Sequence, residues 1–156
     1  MADAAFAGPL FGARIGGVSV VLPSGLPLVY LADVLVHPLA GAAPRVCGLM
    51  QMQGLPLVVL DPAGAPSPPV ARRMAVLVVG EPGEGAALRV EEPPSPIAVA
   101  EPRPQAIRPD CVFAAALERP VADALDPDRT WWHVVPARLF GLLATAAETG
   151  ADGWPT

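Results

Sequence analysis

Residues 46–61 read VCGLMQMQGLPLVVLD, two apolar runs separated by Gln53-Gly54. A two-residue connection that ends in glycine is typical of a tight β-hairpin, because glycine adopts positive φ without a steric penalty. We therefore predict two paired strands, Val46–Met52 and Leu55–Leu60. Their nearly continuous apolar character predicts strands that are buried on both faces.

The segment upstream of this hairpin has a different pattern. Leu28, Leu31 and Leu35 fall on one face of a helix, and Pro38 follows shortly after them. Apolar residues at this spacing, with a proline beyond the last of them, predict a short helix around residues 28–36.

The rest of the chain predicts further short strands and one closing helix. Proline suits the first position of a helix and glycine follows its end, so Pro136 and Gly150 bracket the predicted final helix. Adjacent residues of a strand face opposite sides, so one of Trp131 and Trp132 is expected to enter the core and the other to lie at a junction between structural units or at the surface. The other predicted strands are Phe11–Ile15 and Val18–Leu22 around Gly16-Gly17, Met74–Val79 with Ala86–Val90, and the runs Ile97–Ala100, Cys111–Leu117 and Trp131–Val135.

Composition excludes several classes of protein. The chain has 156 residues, 53% hydrophobic residues, 21 prolines and a net charge of −5. Disordered tails are less apolar, and nucleic-acid binders carry a basic surface, so neither class fits and no nucleic-acid partner is expected. The longest uncharged run, between Arg14 and Asp33, is broken by glycine and proline, and no signal peptide is evident. We expect a cytoplasmic protein without direct membrane insertion.

No motif for catalysis or metal binding stands out. His37 and His133 lie nearly a hundred residues apart, and the sequence contains neither Gly-x-Ser-x-Gly nor Cys-x-x-Cys. Cys47 and Cys111 are expected to be free, mostly buried thiols. The sequence therefore predicts a protein that is not an enzyme and that holds no cofactor or metal.

The hairpin at residues 46–61 resembles the signature of CheW-like domains. In those domains a strand ending in Asn-aliphatic-Arg-Gly turns into a strand ending in aliphatic-Asp-Leu, and the spacing of Gly48, Gly54 and Asp61 matches. Gly85-Ala86-Ala87-Leu88 takes the place of a later glycine-aliphatic strand. The resemblance extends over roughly residues 11–143.

This resemblance implies an all-β fold of two SH3-like five-stranded β-barrels, with a short helix after the first hairpin and a C-terminal helix. Residues 10–148 would form a single CheW-like domain, in which residues 10–75 make the first barrel and residues 76–148 make the second barrel and the closing helix. Residues 1–9 and 149–156 would be flexible ends.

The resemblance also implies a function. CheW-like proteins are non-catalytic scaffolds in bacterial chemosensory signal transduction, which couple chemoreceptors to a CheA-type histidine kinase for chemotaxis or for surface and pilus motility. The expected partners are the kinase regulatory domain and the cytoplasmic tip of a chemoreceptor, which would enter a groove between the barrels by apolar contact. The chain would work in the cytoplasm, at membrane-associated receptor arrays.

The residues implied in partner binding are Gly48, Gln53, Gly54 and Gly85. The chain departs from the pattern at several positions. Gln51 replaces the asparagine of the family, Gln53 replaces its arginine, Arg89 replaces an aspartate, and Glu91-Glu92-Pro93-Pro94 replaces an aliphatic stretch. These departures leave an alternative open, a diverged β-barrel that binds another protein or a small ligand outside the receptor array.

Overall fold

The structure is a computed structural model that describes residues 10–40, 45–64, 70–80 and 86–152. Within these ranges the chain forms eleven strands and one α-helix. The strands are β1 (Leu10–Ile15), β2 (Val18–Leu22), β3 (Leu28–Val36), β4 (Val46–Met52), β5 (Leu55–Leu60), β6 (Arg72–Val79), β7 (Ala86–Arg89), β8 (Ser95–Ile97), β9 (Val99–Pro102), β10 (Leu117–Asp123) and β11 (Asp126–Val134). The helix α1 spans Pro136–Asp152.

The first barrel contains strands from both ends of the chain. Its sheet has the order β8-β1-β2-β11-β10-β9, in which β2 and β11 are parallel and the other pairs are antiparallel. Its two edge strands, β8 and β9, are joined by the single residue Ala98. The Ala98 amide donates to Asp123 Oδ1 and its carbonyl accepts from Ala124, so one continuous segment closes the barrel.

The second barrel is built from the middle of the chain. Its sheet has the order β3-β6-β7-β5-β4, and a single bridge between His37 and Leu49 joins its two edge strands. Each of these residues donates its amide to the carbonyl of the other, at 2.9 and 2.8 Å. Gly48 lies directly against this bridge with φ of +145°, and a Cβ added there would lie 2.1 Å from the His37 carbonyl oxygen. The close approach of the two strands therefore requires glycine at this position.

Three apolar clusters explain which strands are buried on both faces. Val21 points into the first barrel, Val76 points into the second, and their neighbours Val20 and Leu77 belong to a third cluster between the barrels. All five residues of β2 and the last four of β6 are buried. The prediction that β4 and β5 are buried on both faces is wrong, because Val58 of β5 is 43% exposed.

The segment Leu28–Val36 is a strand, and the prediction of a helix there is wrong. It pairs with β6 along its whole length, with a β-bulge between Leu31 and Val34. A bulge adds one residue to one strand and so shifts its in-out alternation. Before the bulge, Leu28 packs against the cluster between the barrels and Leu31 against the core of the second barrel. The helical spacing therefore comes from apolar residues on both faces of one strand.

The predicted division of the chain into barrels at residue 75 is also wrong. The hairpin β1–β2 was assigned to the same barrel as β3–β5, but it pairs with β8 and β11 instead. The hairpin β6–β7 was assigned to the second half, but it pairs with β3 and β5. The parallel pairing of β2 with β11 brings the start and the end of the chain into one barrel, and local sequence patterns carry no signal for such a pairing.

Three smaller predictions near the C-terminus have different outcomes. Residues 111–116 form a loop and a single 3-10 turn, Ala114–Ala116, rather than a strand, since successive alanines favour strands poorly. The final helix begins at Pro136 as predicted, but it continues past Gly150 to Asp152. Trp131 and Trp132 do face opposite sides, yet both are buried, because the second side lies between the barrels.

We expect Gly48→Ala to lower the free energy of unfolding by about 3 kcal/mol or more, because the added methyl group meets backbone atoms that cannot move without opening the barrel. Gly54→Ala is the control. Its φ is also positive, at +81°, but nothing lies within 4 Å of the added atom, so about 1–2 kcal/mol is expected. Urea unfolding of both variants measures the difference, and equal losses would contradict the proposed role of Gly48.

Candidate protein interface

The structure separates the residues predicted to bind partners. Gln53 and Gly54 lie at the exposed tip of the β4–β5 hairpin, with φ of +53° and +81° as in a type I′ turn. Gly48 is buried at the closure of the second barrel, so it is not available to a partner. Gly85 lies outside the described residues. Among the three that the structure describes, Gln53 and Gly54 are at the surface.

An apolar surface patch covers the outer face of the second barrel. Leu49 of β4 is directly opposite Val58 of β5, and Pro56 follows on the same face of β5. Leu35 of β3 lies across the barrel closure, two residues before His37, which pairs with Leu49. Leu35 is 40% exposed and Val58 is 43% exposed. We call these four residues, Leu35, Leu49, Pro56 and Val58, the outer patch.

The exposure of the outer patch was not predicted from the sequence, although its residues belong to segments that were predicted to form structure. Continuous apolar character in a hairpin was interpreted as burial on both sides. The available signal was Pro56, since proline in a strand is confined to places where its missing amide costs no hydrogen bond. Strand positions that need no amide hydrogen bond are more common at the periphery of a sheet than in its buried centre, so Pro56 indicated a peripheral strand.

The junction of the two barrels holds a second surface with a different character. Two cavities of about 570 and 550 Å³ lie there, and both are lined by Gly16 of the first barrel and Ala63 of the second. The larger cavity is also lined by Asp61, Arg73, Arg89 and Glu91, and the smaller by Arg45 and Asp110. The expectation of an apolar groove is therefore wrong for this junction, which is rich in charged groups.

Asp61 organises the chain at this junction. Its side chain is almost fully buried, accepts a hydrogen bond from the Ala63 amide at 2.9 Å and pairs with Arg89 at 3.4 Å. The Asp61 amide donates to the Arg45 carbonyl, and the Arg45 guanidinium donates to the Pro62 carbonyl. The arginine that replaces the family's aspartate at position 89 thus has a partner in this chain. Both Asp61 and Arg89 are part of the sequence pattern described above, but that pattern did not predict an ion pair between them.

A second ion pair ties the first barrel to this junction. The Glu91 carboxylate, which follows β7, accepts a hydrogen bond from the Gly17 amide and pairs with Arg14 at 3.3 Å. Because Arg14 and Gly17 belong to the β1–β2 hairpin, the charged groups connect elements of both barrels.

The thiols and imidazoles do not form a reactive centre among the described residues. Burial raises the pKa of the Cys47 thiol to about 11, so it is protonated at neutral pH. Burial also raises the pKa of Cys111 and lowers the pKa of His133. Both thiols are free, as predicted. In the described ranges no three His, Cys, Asp or Glu side chains cluster in a way that could hold a metal ion.

Comparison with solved structures identifies the architecture. The crystal structure of the scaffolding protein TtCheW from Thermoanaerobacter tengcongensis matches with a TM-score of 0.58 and 17% sequence identity, over 85% of this chain and 88% of that chain. The chain has a CheW-like fold. No protein-family model matches the sequence, and no curated protein matches it.

The match confirms the predicted fold class at the level of architecture. Two barrels and a C-terminal helix make up the CheW-like fold here, as the resemblance implied. The second barrel has five strands, and the first has six because Ala98 divides its closing segment into β8 and β9. The helix expected after the first hairpin is the exception, since β3 takes its place. Among the residues described, the chain has no helix of sufficient length and apolarity to span a membrane.

We expect Asp61→Ala to destabilise the CheW-like fold by about 2–4 kcal/mol, because it leaves the Ala63 amide and the Arg89 guanidinium without their buried partner. Asp33→Ala is the matched control. Asp33 pairs with Arg73 at the same distance of 3.4 Å, but both side chains are more than half exposed. Exposed pairs contribute less than about 1 kcal/mol. Urea unfolding compares the two variants, and a similar loss in both would argue against an organising role for Asp61.

We expect Cys47 to resist alkylation in the native protein. A pKa of about 11 in place of 9.0 leaves about a hundredfold less thiolate at pH 8. Iodoacetamide labelling of the Cys111→Ala variant, followed by mass spectrometry, isolates the Cys47 signal. Labelling should be slow in buffer and fast in urea. Rapid labelling in buffer would show that the thiol is accessible and ionised.

Proposed function

We propose that this chain is a non-catalytic adaptor that couples chemoreceptors to a CheA-type histidine kinase. The observation that carries the proposal is the CheW-like two-barrel fold with an exposed apolar patch on its second barrel. TtCheW, which has this fold, is described as a scaffolding protein. The cytoplasmic tip of the receptor and the regulatory domain of the kinase are the proposed partners, and the proposed location is the cytoplasm at receptor arrays.

The outer patch supports binding of a protein partner. Contiguous apolar residues on a surface mark interaction sites more often than isolated ones do. The four residues of the outer patch lie on three strands and are uncharged. Their polar neighbours are His37 and Gln51, and the exposed Asp33–Arg73 ion pair borders the patch beside Leu35. A neutral apolar surface fits the apolar surface of another folded domain, for which we propose the kinase regulatory domain.

The charged junction supports a second, separate contact. Its cavities carry arginine and carboxylate side chains that are partly exposed, including Arg89 and Glu91. Such a surface complements a helix with charged residues of both signs, for which we propose the receptor tip. An adaptor requires two surfaces for two partners. The larger cavity and the outer patch adjoin at Arg73, which lines the cavity and is directly opposite Leu35.

The four residues predicted to bind partners have different places in this proposal. Gln53 and Gly54 lie at the hairpin tip beside the outer patch, where a partner can contact them. Gly48 acts indirectly, by allowing the barrel to close under the patch. Gly85 precedes β7, and its part in binding stays a prediction. Linking two partners in an array raises the effective concentration of each, so modest affinities suffice.

Val58→Glu should weaken binding to the kinase regulatory domain encoded in the same genome at least tenfold, because it places a charge in the centre of the outer patch. Leu125→Glu is the control, since Leu125 is 82% exposed in the β10–β11 turn of the other barrel. Isothermal titration calorimetry of the three proteins measures the effect.

Equal binding by the two variants would place the kinase contact elsewhere. If the unsubstituted chain binds neither the regulatory domain nor the receptor tip, the adaptor function is wrong and the alternative of a diverged binding module takes its place.

A further inference from the structure

The second barrel is closed at only one point, and beyond that point its two edge strands are unpaired. β3 and β4 are the edges of the sheet, and the His37–Leu49 bridge is the backbone connection between them in the described residues. Eight of the nine residues of β3 are at least partly exposed. We call the gap between β3 and β4 beyond this bridge the seam.

Backbone groups on the β4 side point into the seam. In an antiparallel strand the amide and carbonyl of residues i and i+2 point to the same side. Leu49 directs both groups toward β3, so Gln51 does the same. The residue opposite Gln51 on β5 is Pro56, which has no amide hydrogen to donate. This agrees with Gln51 and Pro56 being a pair of residues that exchange no hydrogen bonds, so that the groups of Gln51 point away from β5.

Backbone groups on the β3 side point into the same gap. Leu35 lies two residues before His37 and therefore directs its amide and carbonyl toward β4. At the other end, Pro27 accepts a hydrogen bond from Gly80 on the β6 side, so Leu28 and Tyr30 direct their groups away from β6, into the seam. Within the described ranges no backbone hydrogen bond joins Leu35 or Tyr30 to β4.

The seam also leaves apolar side chains of the barrel interior partly uncovered. Leu31 and Val34 of β3, with Met52 and Leu57 on the opposite hairpin, pack against the core of the second barrel but are only half-buried. Leu55, which is opposite Met52, is 49% exposed. Unpaired backbone and partly uncovered interior side chains thus occur together on β3 and β4, and β5 adds Leu55 and Leu57.

From this arrangement we infer that the seam accepts an extended segment of a partner protein as an added strand. Unpaired amides and carbonyls on a strand edge form hydrogen bonds with another extended backbone. A helix cannot supply such partners, because its backbone amides and carbonyls already bond to each other. The side chains of the added strand would alternate, and every second one would be apolar and enter the barrel. Pairing of β3 with β3 of a second copy would bring together two bulges and two Asp33 carboxylates. A regular strand without charge on that face brings neither, which favours a different protein as the occupant.

The inference goes beyond the adaptor function, and it can be tested without the kinase. The probe is a synthetic decapeptide of four Thr-Val repeats flanked by lysines, which is soluble and prone to form strands. Saturating peptide should slow amide hydrogen exchange at Leu35, Tyr30 and Gln51 at least threefold in the full-length protein. Unchanged exchange at all three amides would overturn the inference.

Proline variants test whether the backbone carries the binding. Gln51→Pro and Leu35→Pro each remove one amide that faces the seam and keep the ladders to β5 and β6. Each should bind the peptide about fivefold more weakly than its control, Gln51→Ala or Leu35→Ala, which changes the side chain but keeps the amide. Equal affinity within both pairs would overturn the inference. Thermal unfolding verifies the fold of each variant, and where a proline variant does not fold, the exchange result on the unsubstituted protein decides.

The outcome is independent of the adaptor proposal. If the kinase domain binds the outer patch while the peptide leaves the seam amides unprotected, the adaptor proposal stands and strand addition is wrong. If the peptide is held at the seam while neither the kinase nor the receptor binds, the reverse is true.

Discussion

The apolar interface between the two barrels is the contact on which the other features depend. β2 and β6 each line their own barrel with one face and this interface with the other, and Leu139 and Leu143 of α1 cover it. Each aliphatic side chain buried there contributes about 1.5–3 kcal/mol relative to exposure. Because the interface uses residues from both ends of the chain, neither barrel can form its full core alone. The charged junction and the outer patch are thereby held on one body at a fixed separation.

This interface also determines which surfaces remain for partners. A small barrel that rests against another has one side covered and the opposite side free. In the second barrel the covered side comprises β6, β7 and the start of β3, where Leu28 and Tyr30 pack against the interface. The free side comprises the end of β3, β4 and most of β5. The outer patch and the seam both lie on these free strands. The positions of the outer patch and the seam follow from how the two barrels pack. They could therefore be predicted only once the pairing of the strands was known.

Sequence patterns predicted the elements better than their partners. The β4–β5 hairpin and its Gln53-Gly54 turn followed from local chemistry, and so did the start of α1 at Pro136. Leu28–Val36 was mistaken for a helix because both faces of this strand carry apolar residues, Leu28 toward the other barrel and Leu31 toward the core of its own. The barrel boundary was wrong because the β2–β11 pair joins residues more than a hundred positions apart. The Asp61–Arg89 ion pair could not be predicted either, because only the fold brings these two residues together.

The two barrels close by different means. The first barrel is closed by a continuous segment of chain, whereas the second is closed by a bridge between two residues. In the first barrel one continuous segment through Ala98 holds both edges, and Trp131 fills the interior so tightly that a Cβ on Gly12 would lie 2.4 Å from its ring. In the second barrel two hydrogen bonds beside Gly48 make the closure. A barrel closed by chain continuity has no free edge, whereas one closed at a single bridge keeps unpaired backbone on both sides of it. The second barrel also carries the outer patch, so the surfaces proposed for recognition lie on the barrel whose closure is less complete.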